Sequence, residues 1–205
     1  LQGKLNEAQI AIDGSVGPLF PHPNAKLKLS FNAEDLSTLG AFTGNSLPQL
    51  KKLGGLQGDG NIVISDQTLT LDAINITLEK LGLAAQANGV IKDVNALSGV
   101  EAKIEVRLNS LSHLNPIMET ELPETGPWTF DVHVISKEVN GGPVTISSKL
   151  MGEGLTTQVN ATIPDVTTPR NINGKLSMDT ESLATLGVLF KKELPDDGPL
   201  KVTAD

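Results

Sequence analysis

Hydrophobic and polar residues alternate with a period of two through most of this chain. Ile62 and Ile64 are followed by Leu69 and Leu71, then by Ile74, Ile76 and Leu78, then by Leu81 and Leu83. Ile104, Val106 and Leu108 keep the same period, as do Trp128, Phe130, Val132 and Val134. Val144 with Ile146, Val159 with Ala161 and Ile163, and Leu176 with Met178 continue it. Polar residues stand between them, such as Asn75, Thr77 and Glu79, or Thr129, Asp131 and His133. Successive side chains of a strand point to opposite faces, so the pattern predicts antiparallel strands, apolar on one face and wetter on the other. Gly58-Asp59-Gly60, Ser65-Asp66-Gln67, Asn140-Gly141-Gly142 and Gly152-Glu153-Gly154 are the predicted hairpin turns.

Three Leu-rich blocks interrupt the alternation: Asp35 to Gly40 leading to Leu47-Pro48, Asn109 to Leu114 leading to Leu122-Pro123, and Thr180 to Gly187 leading to Leu194-Pro195. Leu36, Leu111 and Leu183 are spaced 75 and 72 residues apart, and so are Leu39, Leu114 and Leu186, and Pro48, Pro123 and Pro195. Two Leu three residues apart share a helical face, with Asp, Asn, Ser or Thr available as N-cap, so each block predicts a short helix. In the third block the apolar face runs through Leu183, Leu186, Leu189 and Phe190, and the following Pro is expected to end it. Shared offsets at several positions mark an internal repeat.

The predicted units are 1–34 (partial), 35–108, 109–179 and 180–205 (partial), each full unit holding one short helix and about four strands. The fold class that follows is mainly β with short helices. It is an antiparallel, curved and elongated sheet, either an open groove or a curled sandwich, built from repeats of about 72–75 residues. One short helix covers only part of a four-strand face, so much apolar surface needs another partner: a second sheet, the same sheet curled over, or a ligand.

Composition narrows the function classes. Hydrophobic residues make up 39% of the 205 residues but aromatics only 3%, with no Tyr, so aliphatic side chains do the packing. The net charge of −8 argues against a nucleic-acid binder, which needs phosphate-neutralising charge and stacking surfaces. There is no Cys, which excludes disulfides and thiolate metal sites. No run approaches the length of a membrane span and no signal peptide is visible. The chain begins at Leu1 without Met and stops at Asp205 within an apparent strand, so it is expected to be a segment of something longer, with any membrane anchor outside it. Sheet edges exposed in such a segment are prone to pair with a second copy, giving an edge-paired dimer in isolation.

Candidate chemistry is sparse. His22, His113 and His133 are scattered, with His22 between two prolines and His133 on the polar side of its strand. A metal site or catalytic triad needs groups brought together from distant positions, and no local pattern suggests one. Asp196-Asp197-Gly198 and Glu121 with Glu124 read as solvated turns, because no further oxygen ligands follow at calcium-loop spacing. Gly54-Gly55 and Gly58-Asp59-Gly60 are not followed by Gly-Lys-Ser/Thr, so they read as turn glycines and not a phosphate loop. Trp128, the single Trp, reads first as the largest core side chain and second as a groove or interface anchor. No enzyme, cofactor or metal is expected.

With these residues in view, the chain resembles the AsmA family of bacterial envelope proteins. The resemblance rests on Leu29 to Gly40, on the Leu-Pro to Gly-Pro boundaries at 122–127 and 194–199, and on strand-rich stretches reaching Leu97-Ser98-Gly99 and Ile172-Asn173-Gly174. The first copy departs from the pattern, since Pro48 is followed by Gln49 to Gly55 with no Gly-Pro, so its linker is built differently. The resemblance implies a periplasmic body tethered to the inner membrane through an N-terminal helix. It also implies phospholipid passing along an apolar β-groove between the two membranes, and a part in outer-membrane biogenesis. It carries over no catalytic residue. Alternation gives the groove lining as Ile62, Ile64, Leu69, Leu71, Ile74, Ile76, Leu78, Ile104 and Val106 in one unit and Phe130, Val132, Ile146 and Val159 in the next. The expected partner is phospholipid or another acyl-chain lipid, with envelope proteins as further partners. The alternative is a non-catalytic structural or adaptor module, in which a second sheet closes the same apolar face and the outer surface meets envelope proteins.

Overall fold

A computed structural model of the chain describes residues 2–5, 8–17, 23–36, 53–95, 98–118, 121–136, 142–164 and 172–204. Twelve strands form one antiparallel sheet in sequence order: β1 (Gln2–Leu5), β2 (Ala8–Val16), β3 (Asn24–Ala33), β4 (Leu56–Ser65), β5 (Thr68–Leu78), β6 (Leu83–Asp93), β7 (Ser98–Leu108), β8 (Trp128–Ser136), β9 (Val144–Gly152), β10 (Leu155–Ile163), β11 (Asn173–Thr180) and β12 (Leu200–Ala204). Each strand pairs only with its neighbours in sequence, and β1 and β12 are the two edges, so the sheet is open and not a barrel. The described strands form a single sheet, with no second sheet across the apolar face. The mainly β, antiparallel expectation holds. His22, the first Leu-rich block beyond Leu36, and Asn140-Gly141 lie outside the described residues.

Directly paired residues of adjacent strands have side chains on the same face. Following the register from strand to strand therefore sorts the whole sheet. One row runs Ile10, Phe31, Gly58, Ile76, Ala85, Val106, Phe130, Leu150, Thr157, Met178, Val202, with a single hydroxyl among its side chains. On the opposite face, Ser30, Asp59, Asn75, Gln86, Glu105, Asp131, Lys149, Gln158, Ser177 and Thr203 form an equally continuous polar row.

The apolar positions of β5 change phase between Leu71 and Ile74, and in a regular strand this would put Ile74, Ile76 and Leu78 on the polar face. A β-bulge absorbs the shift. The ladder skips a residue of β5 between Asp72 and Asn75 against β4 and between Leu71 and Ile74 against β6, and Ala73 takes a left-handed conformation with φ of 49°. The released Ala73 N–H donates to Asn88 Oδ1 at 2.8 Å.

The two ends of the sheet differ. At one end the long connections after β7 and β11 fold back over the apolar face. Leu111–Leu114 is a 3-10 turn capped by the Ser110 hydroxyl, which accepts from the Ser112 N–H. Leu183–Phe190 is an α-helix, α1, capped by the Ser182 hydroxyl, which accepts from the Thr185 N–H. α1 ends at Lys191, whose left-handed backbone returns its N–H to the carbonyls of Gly187 and Val188. This corrects the expectation that a proline ends the helix: Pro195 lies well beyond the last turn. Phe190, assigned to the apolar face from its spacing, is 68% exposed. The hydrogen bond from Asn109 N–H to the Gly82 carbonyl recurs 72 residues later as Glu181 N–H to Gly154, both at 3.0 Å.

Between these caps and the strand ends lies the core. Leu108, Trp128 and Leu155 are buried there, with Leu83, Leu111, Leu114, Leu150, Met178, Leu186 and Leu189 packed around them. Trp128 is thus a core residue, and its indole N–H donates to the Thr125 carbonyl at 3.1 Å. Its ring lies over Gly152, where an added Cβ would stand 2.6 Å from ring carbons. Gly58-Asp59-Gly60 is corrected from turn to strand: both glycines lie inside β4 on the apolar face, where a Cβ would collide with Phe31 and Ile74. Two expected turns stand, with left-handed backbones at Asp66 and at Glu153-Gly154.

Two stability predictions follow from these sites. Gly152→Val displaces the indole and costs about 1–3 kcal/mol in urea unfolding, with a red shift of Trp emission. An unchanged midpoint and emission would show that Trp128 does not rest there. Ala73→Gly relieves the left-handed alanine and raises stability by about 1 kcal/mol, whereas Ala73→Val lowers it.

Candidate functional site

The apolar face of the sheet is the candidate site. All thirteen residues expected to line a groove share it. Ile76, Val106 and Phe130 belong to the row traced above, and Leu78 is on the same side, paired with Leu83. Ile74, Ile104, Val132 and Val159 lie in the next row, linked through Ala87 and Ser148. Ile62, Leu71 and Ile146 lie in a third row, joined through Gly89, Ala102 and Val134. Ile64 and Leu69 face each other in a fourth, at the end away from the helical caps.

Cover on this face is uneven among the described residues: it is high at the capped end and again at Ala25, at the opposite end of β3, and low in the middle rows of β7–β10. Leu108 and Leu155 are each 8% exposed at the capped end, while in the next rows Phe130 is 41% exposed, Ile104 39% and Val159 36%. Leu176 and Val202 toward the β12 edge, and Ile10 and Val16 in β2, are similarly open. Sequence reasoning passed over several residues of the same face, including Leu27, Leu29 and Phe31 of β3 and Leu150 of β9. Leu27, Leu29 and Phe31 alternate with Lys28 and Ser30, so the period-two signal that found the others would have found these as well. The face is almost wholly aliphatic. It offers burial of apolar surface and no directional chemistry.

The polar face is not flat. A hollow of about 560 Å³ lies across β6–β10 at mid-strand, its floor the backbone of Ile104, Val132 and Ser148 and its walls the polar residues on either side. A second, of about 610 Å³, lies on β9–β12 near the capped end, with Met151, Thr156, Asp179 and Lys201 among its lining. In the first hollow Glu105 and Asp131 stand directly opposite each other, a like-charge pair held between Arg107, whose Nε donates to Glu105, and Lys149, opposite Asp131. His133 Nε2 is covered by its neighbours, has no hydrogen-bond partner among the described residues and lies 3.6 Å from the Glu101 carboxylate.

Known proteins do not place the chain. It matches no family model, no curated protein and no solved structure. Among the described residues no three His, Asp or Glu side chains are grouped to hold a metal ion. No helix among them is long and apolar enough to cross a membrane.

The difference in cover between the capped end and the middle rows predicts a difference in mutational cost. Leu108→Ala, under the caps, costs about 2–5 kcal/mol. Phe130→Ala, two residues along the next strand, costs about 1 kcal/mol or less, because much of its ring is already in water. Urea midpoints for the two variants measure the difference, and equal costs would mean the middle of the face is as covered as its end.

Proposed function

We propose that this chain is a periplasmic AsmA-like segment whose aliphatic sheet face carries acyl chains, serving phospholipid transport between inner and outer membrane and outer-membrane biogenesis. In this reading the body is tethered to the inner membrane by a helix elsewhere in the protein. One observation carries the proposal. Among the described residues a single-layer sheet holds a continuous aliphatic face across β2–β12, and its middle rows on β7–β10 stay open to solvent.

The physics suits lipid. Burying an acyl chain of about 16 carbons yields on the order of 10 kcal/mol at roughly 0.8 kcal/mol per CH₂. Movement along the face further requires that no position hold the chain much better than its neighbour. Rows that repeat Ile, Val, Leu and Ala from strand to strand provide near-uniform steps, with Thr157 and Ser148 as the polar interruptions. A non-catalytic adaptor role remains the alternative outcome of the test.

Native mass spectrometry of the purified chain, with lipid extraction, is expected to show co-purifying phospholipid. Ile76→Asp and Val106→Asp, at two positions of the same row, are expected to abolish crosslinking to a photoactivatable phospholipid while the circular dichroism spectrum stays β-rich. Lipid-free protein, or crosslinking that survives both substitutions in folded protein, would favour the adaptor role instead.

A further inference from the structure

We propose that the polar face binds a neutral carbohydrate chain, laid diagonally across the two hollows from β6 to β12. The site is on the face opposite the aliphatic one and does not depend on the lipid reading. Both hollows open on the same face and share strands β9 and β10, the first at mid-strand and the second nearer the capped end. Six strand spacings separate β6 from β12, a width of roughly 29 Å. That suits an oligosaccharide better than a single sugar.

The lining chemistry selects the ligand class. Gln86, Gln158 and Asn160 each offer donors and acceptors, Ser147 offers a hydroxyl, and Asp131 and Lys149 supply a charged acceptor and a charged donor. Sugar hydroxyls both donate and accept, so each such side chain finds a match whichever way it turns. In the first hollow Lys103 and Lys149 balance Glu105 and Asp131, while in the second Glu153, Asp179 and Glu181 outnumber Lys201. The net negative charge of the second hollow disfavours polyanions such as nucleic acid. In the first hollow acyl chains find scarcely any apolar side chain. In that hollow an added peptide strand finds no free backbone, because the floor is already paired on both sides. His133, whose Nε2 is covered and lies 3.6 Å from the Glu101 carboxylate, also lines the first hollow. With no aromatic platform in the lining, binding rests on hydrogen bonds alone and is expected in the millimolar range.

Titration of the ¹⁵N-labelled chain with neutral hexasaccharides, one of glucose and one of N-acetylglucosamine, tests the site. Expected are saturable amide shifts in β8–β10 centred on Asp131, Lys149 and Gln158 with at least one of the two sugars. Affinity should fall about tenfold in Asp131→Ala, the loss of one hydrogen bond to a charged group. Gln158→Ala, at an exposed position, provides a second variant if the first perturbs folding. Absence of saturable shifts with both sugars overturns the proposal, as does binding that neither variant weakens. Tighter binding of a sulfated hexasaccharide than of either neutral one overturns the neutral class.

Discussion

In a nearest-neighbour antiparallel meander every strand inherits its facing from the one before it, so a slip of one residue anywhere would turn all later side chains to the wrong side. Across eleven ladders the register is kept, and the one local change of phase in the apolar pattern coincides with a bulge. At that bulge the extra residue, Ala73, adopts the left-handed backbone that lets Ile74, Ile76 and Leu78 rejoin the face of Leu69 and Leu71. Asn88 accepts the N–H that the bulge releases. The two-faced character of the whole sheet passes through this point.

Given that register, stability and function occupy different ends of the same strands. The caps concentrate burial where Trp128, Leu108 and Leu155 meet Leu111, Leu186 and Leu189. Glycine at 152 makes room for the indole, and glycines at 58 and 60 do the same for Phe31 and Ile74. Away from the caps, apolar side chains are held in order by the ladder, with no second layer among the described residues. A surface that is aliphatic, ordered and uncovered is suited to a ligand that needs area and no direction. The opposite face, ordered by the same ladder, collects amides, hydroxyls and balanced charges into hollows.

Much of this was legible in the sequence because β-structure writes its facing into a period of two. All thirteen groove candidates fall on one face for that reason. The helical blocks were legible through their Leu spacing and the serines that cap them, at Ser110 and Ser182. Failures came where a local signal has more than one use. Gly58-Asp59-Gly60 looks like a turn, yet the glycines are there because neighbouring strands fill the space that side chains would take. Pro195 looks like a helix stop, but a left-handed Lys191 ends the helix first. Phe190 fits a helical stripe, but only one turn of so short a helix reaches the core.

The sequence by itself determined which residues share a face and where the connections fold back, because both follow from spacing along one chain. The tertiary structure decided which part of the face is covered and where the polar face becomes hollow. Those depend on how far each cap reaches over strands distant in sequence and on how the paired strands bend together, and no residue's own spacing records either.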